Sequence, residues 1–281
     1  MAGASAAPHV TVVIPTFNRY DYTRRCLESL RQLAYPNLDV ILVDNGSKDG
    51  TPERVHAEFP EVQLIRLSAN LGYAAACNAG IRASTGPFIL FLNNDTRVID
   101  PMMMQTLVQE MEQDTRLAAT GPILVDYKTL EVDNRRRFVR PGHGFALAPG
   151  SCLMVRRSAL ERVGLFDESF FSYFEDLDLF ARLLDAGFGM RQCRETKIAH
   201  EGGATAGRSS AFTLYYQNRG FFVFARRHVP LREFVGRLLL ERMWLAVWSF
   251  KLIAADRNFR LFSAWVRGYR DGLVWLLRTP P

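Results

Sequence analysis

The stretch VTVVIPTFNR, residues 10–19, begins as an apolar run and ends in polar residues. A short run rich in β-branched residues and closed by Pro15 is typical of a buried strand. Three similar runs follow in the first third of the chain: DVILVD at 39–44, VQLIRL at 62–67 and FILFLN at 88–93. Their nearly continuous apolar character predicts strands that helices cover on both faces.

Helical segments are predicted between these strands, over 22–33, 52–59 and 73–83. Asp21 precedes the first as its predicted cap, and Pro52 occupies the first helical position of the second, where proline is favoured. Strands that alternate with helices indicate βαβ units. The sequence therefore predicts an α/β fold with a mainly parallel central sheet flanked by helices.

The pattern continues to about residue 200. The predicted elements are a helix over 101–114, strands over 118–125 and 152–157, a helix from the EDLD run at 175–178 to about Ala186, and strands at MRQC and KIAH.

Composition narrows the class of protein. The chain has 281 residues, 48% of them hydrophobic and 23% charged, so a large core is expected and disorder is not. The four cysteines include no CxxC pair, which argues against a cysteine metal site. The first ten residues, MAGASAAPHV, lack the basic start and apolar run of a secretory signal, so we expect a reduced, cytoplasmic protein.

Polar clusters follow three of the predicted strands. They are Thr16, Asn18 and Arg19 after the first, Asp44 with Asn45-Gly46-Ser47 at the second, and Asn93-Asn94-Asp95 after the fourth. One such cluster would be ordinary turn chemistry. Because parallel sheets bind ligands beyond the carboxyl ends of their strands, three clusters together predict a ligand site there.

Several common sites are disfavoured. The chain has no GxGxxG after the first strand, no GxxxxGK[ST] and no GxSxG. Asp95 is instead a candidate ligand for a divalent cation, which would in turn bind phosphate. The Asp44 carboxylate has two equally weighted explanations: it accepts a hydrogen bond from a nucleobase, or the backbone of the DNGSKDG turn satisfies it.

Six segments in this order carry a resemblance to a known family: VTVVIPTFNR, VDNGSKDGT, NLGYAAACNAG, FLNND, GSCLMVRRSALERVGLFDESFFSYFEDLDLFARLLDAGF and IAH. Over roughly residues 10–225 the chain resembles the inverting family 2 glycosyltransferases. The bacterial rhamnosyltransferase-like branch is the most similar. The resemblance implies a GT-A, Rossmann-like fold, with a catalytic domain over 1–225 and a C-terminal helical extension over 226–281.

The resemblance also implies roles for the strand-end residues. Asp44 would contact the nucleotide base. The rest of the nucleotide and donor-sugar pocket would comprise Thr16, Asn18, Arg19, Asn70, Gly72 and Asn78. Asn93, Asn94 and Asp95 would stand in place of the family's DxD motif. Asp95 and His200 would hold Mg²⁺ or Mn²⁺ on the diphosphate. Asn93 departs from the motif's first aspartate, which leaves strict metal dependence open.

Asp176 would be the general base and Glu175 would orient the acceptor or the base. An inverting transfer needs one positioned carboxylate, and the start of a helix favours the ionised form. The alternative is that acidic residues in a first helical turn only stabilise the helix. In the segment HEGGATAGRSS, Arg208 would pair with a phosphate, or the segment is a plain connector. Arg135, Arg136 and Arg137 are best explained as a solvated loop.

The tail carries the positive charge. Residues 226–281 contain eleven Lys or Arg against four Asp or Glu. The longest apolar run, Met243–Phe250, is far shorter than the roughly 20 residues of a membrane-spanning helix. Four tryptophans flanked by arginines favour a basic amphipathic tail that contacts an anionic membrane surface or a second copy of the chain, rather than pure core packing. Nucleic-acid binding fits the charge but not the tryptophan and leucine content.

We therefore expect a nucleotide-sugar glycosyltransferase, cytoplasmic and peripheral on the inner face of the membrane. It would transfer a sugar, with rhamnose one candidate, from a dTDP- or UDP-sugar to a glycan or lipid-linked acceptor in cell-surface polysaccharide synthesis. The alternative is a catalytically silent partner in a polysaccharide assembly, which Asn93 favours. A sugar-phosphate nucleotidyltransferase is disfavoured because TFNRYDY lacks the glycine-rich loop that it needs.

Overall fold

The computed structural model describes residues 6–133, 150–202, 210–229 and 259–278, and its elements are numbered along these ranges. The strands are β1 Val10–Thr16, β2 Leu38–Asp44, β3 Gln63–Arg66, β4 Phe88–Leu92, β5 Thr96–Val98, β6 Leu117–Asp126, β7 Cys152–Arg156 and β8 Gly189–His200. The helices are α1 Tyr20–Leu30, α2 Thr51–Glu58, α3 Tyr73–Ala83, α4 Met103–Gln113, α5 Arg157–Val163, α6 Glu175–Asp185, α7 Ala211–His228 and α8 Phe259–Arg278.

The predicted alternation of strands and helices is confirmed. The short elements β5 and α5 were not predicted, because three and seven residues are too few to show a clear period. The segments MRQC and KIAH belong to one strand, β8, rather than two. Of the tail, α8 is described, whereas Trp244, Trp248 and the run 243–250 lie outside the described residues.

One eight-stranded sheet organises the fold, in the order β3-β2-β1-β4-β7-β6-β8-β5. The strands β3, β2, β1 and β4 are parallel to one another, β7 is antiparallel to both of its neighbours, and β6 and β8 are parallel. The prediction of a mainly parallel sheet is confirmed. Because β7 runs opposite to both of its neighbours, the strands on its two sides point in the same direction. The strands β1, β2, β4, β6 and β8 therefore all end at the same edge, which we call the strand-end edge.

Side chains on one face of the sheet form the main hydrophobic core. The sheet contributes buried residues such as Ile14, Leu42 and Leu90, and α4 contributes Met104 and Leu107. Burying a side chain of this size contributes about 1.5–3 kcal/mol. The core thus holds the strands in register and positions the loops at the strand-end edge.

By their contacts the described residues form two compact units. The first contains the whole sheet, with the described residues up to Phe166 and then 179–202. The second contains 167–178, α7 and α8. Within the second unit α7 and α8 approach closely, since a Cβ on Gly272 would lie 2.5 Å from the Phe222 ring. The predicted boundary between a catalytic domain and a tail at 225/226 stays a prediction.

No helix in the described ranges combines the length and the apolar content that crossing a bilayer requires.

The close packing of α3 on β1 predicts a stability effect. A Cβ on Gly80 would overlap a methyl group of Val13. Overpacking costs about 1–3 kcal/mol, whereas replacing a helical glycine by alanine contributes about 1 kcal/mol. Because this overlap is severe, the overpacking cost lies in the upper part of its range, and we expect Gly80→Ala to lower the free energy of unfolding by about 1–2 kcal/mol in denaturant titrations. The double variant with Val13→Ala should recover part of that loss, and a Gly80→Ala protein as stable as wild type would contradict the packing.

Candidate active site

A buried amide joins the ends of three elements at the strand-end edge. Asn94 is 6% exposed, and its Nδ2 donates to Thr16 Oγ1 at 3.0 Å and to Thr23 Oγ1 at 3.1 Å. The two hydroxyls are 2.9 Å apart. Asn94 therefore ties the end of β4 to the end of β1 and to α1. Of the predicted pocket residues, Asn94 and Thr16 are placed together in this way.

The loop after β1 is bonded to the loop after β2. Asn18 N–H donates to Ser47 Oγ at 2.6 Å, and Lys48 N–H donates to Asn18 Oδ1 at 2.9 Å. Asn18 and Arg19 have left-handed backbones, with φ of 55° and 63°. Asparagine adopts this conformation more readily than most residues. The turn leaves the Arg19 side chain exposed at the start of α1.

Asp44 ends β2 and is only half satisfied. It is 2% exposed; Oδ2 accepts from Ser47 N–H at 3.1 Å, and Oδ1 has no hydrogen-bond partner in the described ranges. A buried acceptor without a partner costs about 1–3 kcal/mol. The turn therefore satisfies one oxygen, as one of the two explanations expects, and the contact of the other oxygen with a nucleobase stays a prediction.

Asn45 holds the loop that carries Asn70 and Gly72. Its Nδ2 donates to Asn70 Oδ1 and to the Gly72 carbonyl, both at 3.0 Å, and its Oδ1 accepts from Leu71 N–H at 2.9 Å. The sequence alone places Asn45 in a polar cluster and indicates no role for it. A polar residue directly after an apolar strand was the available signal, and only the tertiary contacts identify its partners.

Asn78 binds backbone rather than open space. It is 2% exposed, its Nδ2 donates to the Phe166 carbonyl at 2.8 Å, and its Oδ1 accepts from Phe166 N–H at 3.0 Å. These contacts fasten α3 to the segment after α5. The predicted contact of Asn78 with the donor stays a prediction.

Asp95 and His200 are neighbours because of strand pairing. β5 pairs with β8 so that Thr96 faces His200, and Glu201 N–H donates to the Asp95 carbonyl at 3.1 Å. His200 Nε2 lies 3.1 Å from Asp95 Oδ1, yet it has no partner in hydrogen-bond geometry among the described residues. Both side chains are buried.

This pair fits a divalent cation. Adjacent ligands of an octahedral ion with bonds of about 2.1 Å lie about 3.0 Å apart. The unpaired Nε2 and the carboxylate are also suitable ligand types. The described residues contain no group of three or more His, Cys, Asp or Glu that could hold a metal. An ion held here would therefore need ligands beyond these two side chains.

Asn93 and Ser151 face each other across two strands. Asn93 N–H donates to the Ser151 carbonyl at 2.9 Å, next to the paired residues Leu92 and Cys152. Asn93 Oδ1 and Ser151 Oγ are both buried, and neither has a hydrogen-bond partner within the part of the chain that the structure describes. Directly opposed residues of an antiparallel pair point to the same face. Ser151 was not predicted, because its position depends on the pairing of β4 with β7.

Glu175 and Asp176 begin α6, within the second unit. Glu175 is 8% exposed, and no described residue forms a hydrogen bond with its Oε2. Burial raises the pKa of Glu175 to about 8, and the adjacent charge of Asp176 adds to the shift. Asp176 is half-buried, and its Oδ1 accepts from Leu177 N–H at 2.8 Å.

The same unit holds Asp178 by a different set of contacts. Asp178 is 1% exposed, and its Oδ1 lies 2.8 Å from His228 Nε2 and 3.6 Å from an Arg227 nitrogen. This carboxylate has basic partners inside the protein, unlike the unpartnered oxygen of Glu175.

The structure does not describe four arginines that the sequence singled out, namely Arg208, Arg135, Arg136 and Arg137.

Comparisons with known proteins agree on one family. The chain matches the model described as Glycosyl transferase family 2 over residues 11–164, and that described as Glycosyl transferase family group 2 over residues 88–267. The N-acetylglucosaminyl-diphospho-decaprenol L-rhamnosyltransferase of Mycobacterium tuberculosis is 30% identical over 89% of this chain and 96% of the relative. The pre-mycofactocin glycosyltransferase of the same organism is 30% identical over 68% of this chain and 42% of the relative.

Two solved structures share the fold. The mannosyltransferase PcManGT from Pyrobaculum calidifontis, in complex with GDP-Man and Mn²⁺, has a TM-score of 0.63 and 19% identity over 96% of this chain and 87% of its own. S. aureus TarS has a TM-score of 0.58 and 16% identity over 78% of this chain and 63% of the solved one. The predicted GT-A fold is confirmed.

The raised pKa of Glu175 predicts a pH dependence of stability. Between the ordinary value of 4.5 and about 8, folded Glu175 holds a proton that the unfolded chain releases, so stability falls as pH rises. Glu175→Gln removes this titration. We expect the variant to gain stability relative to wild type as pH rises from 5 to about 8, measured by denaturant unfolding. The exposed Glu168→Gln is the control, and equal slopes for all three proteins would contradict the burial of Glu175.

Proposed function

Because the chain belongs to glycosyl transferase family 2, and is therefore a glycosyltransferase, we propose that it transfers a sugar with inversion from a nucleotide-diphosphate donor. The observation that carries this proposal is the set of unsatisfied buried polar atoms at the strand-end edge: Asp44 Oδ1, Asn93 Oδ1, Ser151 Oγ and His200 Nε2. Buried polar groups in folded proteins are normally bonded, so unpartnered ones need a ligand or another explanation.

Each of these atoms suits a different part of the donor. Asp44 Oδ1 accepts from a ring N–H of the nucleobase, which uracil, thymine and guanine all offer. Asn93 Oδ1 and Ser151 Oγ bind hydroxyl groups of the donor. Thr16, Asn18, Arg19, Asn70, Gly72, Asn78, Asn94 and Arg208 complete the proposed nucleotide and donor pocket.

Asp95 and His200 are the proposed protein ligands of Mg²⁺ or Mn²⁺, which supplies positive charge for the leaving diphosphate when bound. Their 3.1 Å separation and the unpaired Nε2 support this assignment. The mannosyltransferase PcManGT, which shares the fold, was solved with Mn²⁺. Asn93 in place of a carboxylate lowers the negative charge of the site, so we propose modest affinity for the ion alone.

Asp176 is the proposed general base. Its carboxylate takes the proton of the acceptor hydroxyl while the acceptor oxygen bonds to the anomeric carbon. The bond from that carbon to the phosphate oxygen breaks, and the nucleoside diphosphate leaves with the electron pair. Glu175, held largely protonated at neutral pH by its raised pKa, does not compete as a base and orients the acceptor or Asp176.

Rhamnose and a lipid-linked acceptor are the proposed substrates, for cell-surface polysaccharide synthesis. The support is the decaprenol-linked rhamnosyltransferase of M. tuberculosis, which aligns along 89% of this chain.

We also propose a catalytic domain over 1–225 and a tail over 226–281 that makes peripheral contact with the inner face of the membrane or with a second copy. The tail helix α8 exposes a set of apolar side chains: Phe259, Phe262, Val266, Leu273, Val274 and Leu277. Four arginines lie on the same helix at positions 260, 267, 270 and 278.

The donor pocket is tested by calorimetric titration of UDP-, dTDP- and GDP-sugars, with and without Mn²⁺. Asp44→Asn removes the carboxylate that would accept a hydrogen bond from the nucleobase. It should weaken binding of the preferred nucleotide by about 10- to 100-fold. Asp95→Ala should abolish the part of the affinity that Mn²⁺ adds. Asp39→Asn, at the opposite end of β2, is the matched control. If no nucleotide sugar binds wild type in any condition, the silent-partner alternative replaces the proposal.

The base assignment is tested by Asp176→Asn, which keeps the shape and removes the proton acceptor. We expect kcat to fall by about 100-fold or more while the donor dissociation constant stays at the wild-type value. Asp185→Asn, an exposed carboxylate at the other end of α6, should keep wild-type kcat. Wild-type turnover by Asp176→Asn would show that another group accepts the proton.

A further inference from the structure

The residues just before Glu175 have an unusual backbone. Tyr173 and Phe174 both have left-handed conformations, with φ of 67° and 74°. This region is unfavourable for bulky side chains, and two consecutive aromatic residues in it are rare. Such a backbone persists only where the surroundings hold it, and it is often found beside functional groups.

The side chains of this turn are held by α7. Tyr173 Oη lies 3.0 Å from Thr213 Oγ1, in the first turn of α7. Ser210 caps that turn, because its Oγ accepts from Thr213 N–H at 3.1 Å. The Phe174 ring packs against Phe221 and Phe224, with centroid distances of 6.5 Å and 5.7 Å. The turn is thus anchored at both ends of a stretch of about three turns of α7.

Between these anchors, α7 has a glycine where the turn approaches it. A Cβ on Gly220 would lie 3.0 Å from Phe174 Cδ2 and 3.2 Å from the Tyr173 carbonyl oxygen. Both distances are shorter than ordinary van der Waals contact. A glycine inside a helix is destabilising compared with alanine, so the missing side chain at this position has a cost to the helix. The absence of a side chain at Gly220 allows the strained turn to pack closely against α7.

The turn in turn sets the start of α6. The Phe174 carbonyl accepts from Asp178 N–H at 2.9 Å, which is the first helical bond over Glu175 and Asp176. The two left-handed residues therefore determine the direction in which the first turn of α6 leaves the chain. Because Glu175 and Asp176 follow directly, their side chains take their orientation from this turn.

From these contacts we infer that Gly220 is a positioning residue for the transfer reaction, acting through Tyr173 and Phe174 on the Asp176 carboxylate. This inference rests on the proposed function, in which Asp176 is the base. Gly220 does not contact the substrate. It determines the orientation of the Asp176 carboxylate, and a misplaced base lowers the reaction rate even when substrates bind normally.

The test is Gly220→Ala, with kcat, donor affinity and melting temperature measured together. The gain in helix propensity from alanine offsets the cost of the added contacts, so we expect the melting temperature to stay close to that of wild type. The added methyl group pushes on the turn, so we expect kcat to fall by about 10-fold or more. The donor dissociation constant should be unchanged, because the described donor residues belong to the first unit and the turn belongs to the second. A purely structural glycine would not separate kcat from stability in this way.

Gly268→Ala is the matched control. A Cβ there would overlap the Tyr215 carbonyl, so it disturbs the packing of α7 on α8 and not the turn. We expect a lower melting temperature and a kcat per folded molecule close to wild type. Tyr173→Phe is a second test that adds no bulk: it removes only the contact with Thr213 and should lower kcat with unchanged donor affinity.

The outcomes separate this inference from the proposed function. If Asp176→Asn is inactive but Gly220→Ala and Tyr173→Phe keep kcat within about twofold of wild type, the positioning role is wrong and the base assignment stands. If Asp176→Asn keeps wild-type turnover, the base assignment fails. A loss of kcat in Gly220→Ala that only follows its unfolded fraction, as Gly268→Ala would show, also overturns the inference.

Discussion

A side-chain amide buried away from water must find its hydrogen bonds inside the protein, and the strand-end edge is organised by two asparagines under this constraint. Asn94 joins β4 to Thr16 and Thr23, and Asn45 joins the end of β2 to the loop at 70–72. Each asparagine links two loops through hydrogen bonds. The loops around the proposed donor pocket are therefore held before any ligand arrives.

Against this satisfied framework, the few unsatisfied atoms become informative. Asp44 Oδ1, Asn93 Oδ1 and His200 Nε2 are as buried as the framework amides but have no partner. A folded chain tolerates such atoms at a cost in stability when a ligand needs them. The same edge thus separates into groups that hold the loops together and groups that the proposal assigns to the nucleotide sugar and its cation.

The second unit also contains locally unfavourable features that its packing holds in place. Glu175 is buried as a carboxyl with a raised pKa, and it follows two left-handed aromatic residues that α7 holds in place. Both features are unfavourable locally and are supported by packing elsewhere. Their adjacency to Asp176 supports the proposed functional role of the start of α6 over that of an ordinary acidic helix end.

The sequence by itself determined the alternation of strands and helices, the mainly parallel sheet and the polar strand ends, because apolar runs and turn residues act over short distances. Its motifs also identified the family. Tertiary structure decided what depends on pairing between distant segments. The β5–β8 register brings His200 to Asp95, and the β4–β7 pair sets Ser151 opposite Asn93. Likewise, the sequence alone does not indicate the strain at Tyr173 and Phe174, because this strain arises from contacts with a helix 40 residues away along the chain.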